Sequence, residues 1–166
     1  MKVKGTAIKL GSDINTDLII SGRYKFSITD MKELSRHIFE DLDKDFAGKI
    51  KPNESIITAG ENFGMGSSRE QAPLAIKEAG ILAVVAKSFA RIFYRNAFNI
   101  GLLLIEADTD KISENDKIDI DLDKGILKNE TKGSLIEIKP MPNVLKALFL
   151  DGGLVNHFKK HQGLEL

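Results

Sequence analysis

The chain has no cysteine, no tryptophan, only four prolines and no excess of charge of either sign. The missing thiols exclude disulfides and any thiolate-held metal or cluster carried by this chain alone. With 24 basic and 24 acidic residues the formal charge is zero. No global field therefore draws nucleic acid or an anionic membrane, and recognition falls to local sites. No stretch approaches the roughly 18 apolar residues of a membrane span, and the opening MKVKGTAIKLG carries no apolar core of signal-peptide length. A cytoplasmic location is expected. Imidazoles are scarce too: His37, His157 and His161. The last two stand four apart in a lysine-rich segment where exposed side chains are the expectation, and no metal site is assigned to them.

What is present suits one domain over residues 1–166, with 42% hydrophobic and 29% charged residues and length enough for a real core. The pattern is α/β. Val3 to Leu10 reads as a strand broken at Gly11-Ser12-Asp13. After the turn and cap formers Asn15, Thr16 and Asp17 comes a polar-aromatic loop from Gly22 to Thr29. Thr29 or Asp30 then caps an amphipathic helix of about three to four turns, with Met31, Leu34, Ile38 and Leu42 on its apolar face. Ser55 to Ala59 is a buried strand, Glu70 to Gly80 a helix with Pro73 in its first turn, and Ile81 to Lys87 a central strand; together they form a βαβ unit. Ser88 to Asn99 is a helix with Phe89, Ile92, Phe93 and Ala97 inward, and LLLIEA a further strand. Lys117 to Leu122, Gly125 to Lys128 and Ser134 to Ile138 form an antiparallel meander. Two short helices, Val144 to Leu150 and Leu154 to Lys160, flank Asp151-Gly152-Gly153.

The stretch that points to chemistry is GENFGMGSSREQAP, Gly60 to Pro73. A strand, a glycine-rich turn and a helix start aim backbone N–H groups at one point, and the glycines Gly64 and Gly66 mark a cradle for an anion such as phosphate or carboxylate. It is neither a Walker A loop nor a dinucleotide fingerprint, since its spacing is G-x-x-x-G-x-G. Two hydroxyls and a guanidinium stand at the helix mouth. Arg69 can grip a carboxylate through two parallel hydrogen bonds. A serine among N–H donors can have its alkoxide stabilised, which a base abstracting a carbon-bound proton requires. With no G-x-S-x-G elbow and no nearby histidine, acyl transfer is disfavoured. The loop from Thr16 and Asp17 to Thr29 is the natural second wall: Asp17 can orient a basic group or the serine, and Arg23 or Lys25 can hold a second carboxylate.

GENFGMGSSREQAP, the downstream VVAKSFARIFYRNAFNIGLL and the upstream DINTDLIISGRY together resemble the small subunit of 3-isopropylmalate dehydratase, the separate-chain counterpart of the aconitase swivelling domain. The three motifs stand in family order, and the likeness covers essentially the whole chain. The resemblance implies an α/β swivelling domain of β/β/α type with a mixed sheet, docked on a large subunit in a heterodimer or heterotetramer. It also implies that a [4Fe–4S] cluster sits on that large subunit, with no cofactor bound by this chain, in keeping with the missing cysteine. By position, Ser67 is similar to the family's proton-abstracting serine. Ser68 and Arg69 complete that site, Arg69 binding a carboxylate of a small di- or tricarboxylate substrate. Thr16 and Asp17 match the family's Thr-Asp pair, Asp17 counted with the catalytic set. The loop after Arg23 corresponds to the segment that selects the substrate's variable group. Here Tyr24-Lys25-Phe26-Ser27-Ile28-Thr29 departs from the family's usual forms, and Gln71 stands where many relatives have histidine. Phe26 and Ile28 suit an apolar group such as isopropyl, whereas a third carboxylate wants Arg23 or Lys25 turned inward. Isopropylmalate, homoaconitate and related hydroxy acids stay open, as does a non-catalytic anion-binding module.

Overall fold

The computed structural model of the chain describes residues 1–24 and 27–163. In chain order its elements are β1 (Lys2–Lys9), α1 (Thr16–Ile19), α2 (Met31–Leu34), α3 (Phe46–Lys49), β2 (Ser55–Ala59), α4 (Gln71–Glu78), β3 (Ala83–Ala86), α5 (Arg91–Asn99), β4 (Leu104–Glu106), β5 (Lys117–Asp121), β6 (Ile126–Asn129), β7 (Ser134–Glu137), α6 (Asn143–Leu150) and α7 (Leu154–His161). All seven strands share one mixed sheet in the order β4-β3-β2-β1-β5-β6-β7.

β1 is where the two halves of the sheet meet. Its second half, Thr6 to Lys9, runs parallel to β2, and its first half, Lys2 to Thr6, pairs antiparallel with β5. The parallel half follows from sequences that can be buried on both faces: every residue of β2 and β3 is buried, mostly Ile, Val and Ala, with the hydroxyls of Ser55 and Thr58 bonded to backbone groups. The antiparallel half alternates. In β5, Ile118 and Ile120 face the core while Lys117, Asp119 and Asp121 do not. The expected βαβ unit is present, with α4 linking the parallel pair β2 and β3. The meander is present as well.

Three expectations are corrected. The helix expected from Met31 to Leu42 ends early: α2 is capped by Asp30, whose side chain accepts from Lys32 N–H, but the chain passes through a 3-10 turn at Ser35–His37 and leaves helical geometry at Ile38. Phe39 then takes a positive φ of 56° and donates its N–H to the Ile19 carbonyl at 2.9 Å, with its ring fully buried. Burying that ring overrides the helical period, and Leu42 is left exposed. In α5 the inward face is Phe93, Asn96, Ala97 and Phe98, and Ile92 is exposed. Finally, His157 is not a surface residue: it is only 2% exposed and lies beside Asp151.

Candidate active site

Three loops leave the carboxyl ends of the parallel strands β1, β2 and β3 and meet there, the usual place for ligands in open α/β sheets. The loop after β2 is fixed from two sides. Gly64 N–H donates to the Ile14 carbonyl at 2.7 Å, and Thr16 N–H donates to the Met65 carbonyl at 2.8 Å, which ties it to the loop after β1. Phe63 N–H donates to the Ser88 carbonyl and Ala90 N–H to the Phe63 carbonyl, both at 3.0 Å, which tie it to the loop after β3.

Gly64 has φ +79°, and a Cβ there would lie 2.2 Å from Cγ of Phe93. The backbone therefore turns tightly over a buried ring that only glycine allows so close. The expected role of Gly64 as an anion donor is corrected, because its N–H is already spent on Ile14; its contribution is conformational. Gly66, at φ +98°, carries the turn past Thr16. Ser67 and Ser68 follow, both exposed. Among the described residues no carbonyl or side chain accepts from the N–H groups of Ser67 and Ser68, so those donors are open to a ligand. Neither serine caps α4, which starts at Gln71 without a side-chain cap.

Thr16 and Ser67 are brought together. Asn15 caps α1 by accepting from Leu18 N–H at 2.8 Å, which holds Thr16 at the first helical position. The Thr16 hydroxyl donates to the Ser67 carbonyl at 3.1 Å and lies 3.4 Å from the Ser67 hydroxyl. Thr16 is buried and Ser67 exposed, so one hydroxyl of the pair lies in the floor and the other faces out. Arg69 is also placed here. Its Nη1 donates to the Ile20 carbonyl at 3.0 Å and its Nη2 pairs with Asp17. The guanidinium is mostly buried, at 16% exposed, while Asp17 is 60% exposed. The basic group that Asp17 meets is thus Arg69. The buried Nε of Arg69 has no partner among the described residues.

Arg23 lies on the outer rim. It pairs with Asp41, donates from Nε to Ser21 Oγ at 3.2 Å, and sits 5.6 Å above the Tyr24 ring. Tyr24 stacks on His37 with centroids 4.2 Å apart, and both reach Glu40: the Tyr24 hydroxyl at 3.0 Å and His37 Nδ1 at 2.6 Å. These contacts hold the Glu40 carboxyl below its usual range, the bond from His37 most of all. The cluster was missed in the sequence; its one local signal, a His and a Glu three apart, is too common to stand out. Ile28 is half-buried against the core. Lys25 and Phe26, both expected to bind substrate, lie outside the described residues. The well-formed apolar cavity lined by Tyr94, Leu104, Met141 and Leu145, about 290 Å³, contains none of these groups. The side chains of Ser67 and Ser68 are exposed to solvent. No helix of the described residues is long and apolar enough to cross a membrane.

Comparison with known proteins identifies the family of the chain. The family model for the aconitase C-terminal domain matches residues 16–110, the span from Thr16 through Ser67 to the end of the parallel sheet. The 3-isopropylmalate dehydratase small subunit 2 of Archaeoglobus fulgidus is 52% identical over 166 residues, covering 100% of both chains. The small subunit of Brachyspira hyodysenteriae is 48% identical over 165 residues, covering 98% of this chain and 100% of that one. A crystal structure of 3-isopropylmalate dehydratase from Methanocaldococcus jannaschii superposes with a TM-score of 0.92 at 48% identity, over 98% of this chain and 96% of that chain. With full-length relatives at about half identity and a matching fold, this chain belongs to the family of 3-isopropylmalate dehydratase small subunits, built on the aconitase C-terminal domain fold.

Proposed function

We propose that this chain is the proton-transfer half of a two-chain hydro-lyase that interconverts 2- and 3-isopropylmalate in leucine biosynthesis, in the cytoplasm. The observation that carries the reading is the exposed Ser67 hydroxyl, held 3.4 Å from the buried Thr16 hydroxyl and on the same turn as Arg69. Ser67 takes the proton from the carbon next to the one that bears the leaving hydroxyl, and returns it in the reverse direction. The N–H groups of Ser67 and Ser68, without an acceptor among the described residues, and the cation of Arg69 stabilise negative charge at this end of the substrate. Arg69 takes a substrate carboxylate by exchanging it for Asp17, whose mostly exposed side chain gives up such a pair at little cost.

A [4Fe–4S] cluster, the Lewis acid expected for the leaving hydroxyl, does not fit the donors of this chain, which lacks the thiolates that such clusters need. In this reading the cluster belongs to the large subunit, and the exposed surface around Ser67 is what that subunit covers in a heterodimer or heterotetramer. For the substrate's variable group, Ile28, half-buried beside the core, offers apolar surface that suits an alkyl substituent. This favours isopropylmalate over homoaconitate. The test is to reconstitute the chain with its large subunit and compare isopropylmalate, homoaconitate and dimethylmalate side by side. Preference for isopropylmalate is expected; preference for a tricarboxylate overturns the substrate assignment, and no turnover of any of the three overturns the hydro-lyase reading.

A further inference from the structure

Far along the chain from the serine turn, the link between α6 and α7 gathers three potential metal ligands. α6 ends at Leu150, and Gly152 and Gly153, both with positive φ, fold the chain back so that α7 starts at Leu154. Gly153 packs so closely that a Cβ there would lie 2.4 Å from the Asn99 carbonyl oxygen, so the reversal is fixed in place. It leaves Asp151 beside the face of α7 that carries His157 and His161, one helical turn apart. Asp151 Oδ2 lies 2.7 Å from His157 Nδ1 and 2.9 Å from His161 Nε2. The three ligand atoms all lie within 4.8 Å of one another. Lys160 pairs with the other oxygen, Oδ1.

Burial grades across the cluster: the His157 side chain is 2% exposed, Asp151 6% and His161 33%. Two ligands are thus held rigidly and the third opens to solvent, which gives an ion a way in. His157 Nε2 is buried without a partner among the described residues, so the Asp151 oxygen 2.7 Å from Nδ1 is the ring's polar partner among them and favours the proton at Nδ1, which a cation bound there displaces.

We propose that Asp151, His157 and His161 form a binding site for a zinc-class divalent cation that clamps α7 to the α6–α7 turn. Two imidazoles and a carboxylate are a donor set such ions accept, with water in the fourth position. Metal–ligand bonds of about 2.0–2.1 Å put tetrahedral ligand atoms about 3.3 Å apart. The observed 2.7 and 2.9 Å separations therefore need to open only by about half an ångström as the shared protons leave. Lys160 can stay on Oδ1 throughout. A ligating imidazole usually donates its second N–H to an acceptor, worth roughly 10- to 100-fold in affinity. His157 has none among the described residues, so micromolar rather than tighter binding is expected.

The test uses the full chain, stripped with a chelator and titrated with Zn²⁺ by calorimetry at pH 7.5, beside His161→Ala and Asp151→Asn. His161 is part-exposed, so its loss should leave the fold intact by circular dichroism even if a His157 variant fails to fold. The wild type should bind one equivalent with a micromolar dissociation constant, weakened at least about 30-fold in His161→Ala, and its Tm should rise with added Zn²⁺ only when His161 is present. No saturable uptake, or equal uptake by His161→Ala, overturns the proposal.

Discussion

The Thr16 hydroxyl lies 3.4 Å from the Ser67 hydroxyl and donates to the Ser67 carbonyl at 3.1 Å, across 51 residues of sequence. The contact is what holds the serine turn against the loop after β1. Thr16→Val keeps the shape and removes the donor. Loss of one partly buried hydrogen bond should cost about 1 kcal/mol of stability, and a loosened Ser67 should cost about 10-fold or more in kcat. Thr16→Ser should recover most of both. Urea midpoints and kcat of the reconstituted pair measure the two effects separately.

Ser67→Ala should leave assembly with the large subunit unchanged and lower turnover by about 10²-fold or more, as loss of a proton-transfer group does. Gel filtration of the complex and initial rates check this. Near-normal turnover would remove Ser67 from the role of base.

Arg69→Lys keeps the charge but loses the planar fork that bonds both the Ile20 carbonyl and Asp17. A point charge cannot hold a carboxylate through two parallel bonds. KM should rise by about 10-fold or more, with a smaller effect on kcat if the carboxylate is held equally in ground and transition states. Steady-state kinetics on isopropylmalate decide it.

Gly64→Ala places a methyl group against Phe93 at a backbone φ of +79°. The left-handed conformation costs about 1–2 kcal/mol and the overpacking about 1–3 kcal/mol, so a loss of several kcal/mol is expected. Gly11→Ala is the control: its Cβ would meet nothing within 4 Å, and a change of stability within about 0.5 kcal/mol is expected. Thermal melts of the two variants provide the comparison.

Asp116 governs part of the acid response. Burial by itself would raise its carboxyl, but the Ser113 N–H at 2.7 Å, the Asn129 amide at 2.6 Å and the Lys132 ammonium at 3.2 Å outweigh it and hold the group below its ordinary value of 3.8. Because the folded value is the lower one, the unfolded chain binds more protons. This contribution is therefore present above about pH 3.8 and is lost as pH falls through the folded value. Asp116→Asn should lower stability at pH 6 and flatten its fall below about pH 4. Urea unfolding across that range tests the slope; a mutant curve parallel to the wild type contradicts it.

Much of the architecture was legible because it rests on local periodicity. The largely apolar runs of β2 and β3, the alternation in β5, and the glycine turn followed by a helix start each have a period or a punctuation that short windows reveal. The helix expected to reach Leu42 was misread because its period continued past the point where Phe39 found a better place in the core, bonded to Ile19. Tertiary burial of one aromatic ring exceeds the small preference of one more helical turn.

The sequence by itself determined the chemistry available: no thiolate, a serine pair and an arginine behind a glycine turn, and a Thr-Asp pair upstream. Those are matters of residue type and spacing, which need no coordinates. Only the tertiary structure decided which groups meet. It set Thr16 against Ser67 and Asp17 against Arg69, spent the Gly64 N–H on Ile14, engaged Arg23 with Asp41, and buried His157 beside Asp151. Each of these pairings joins residues brought together by strand order, capping or a glycine reversal, and contacts of that kind leave no period in the sequence to be read.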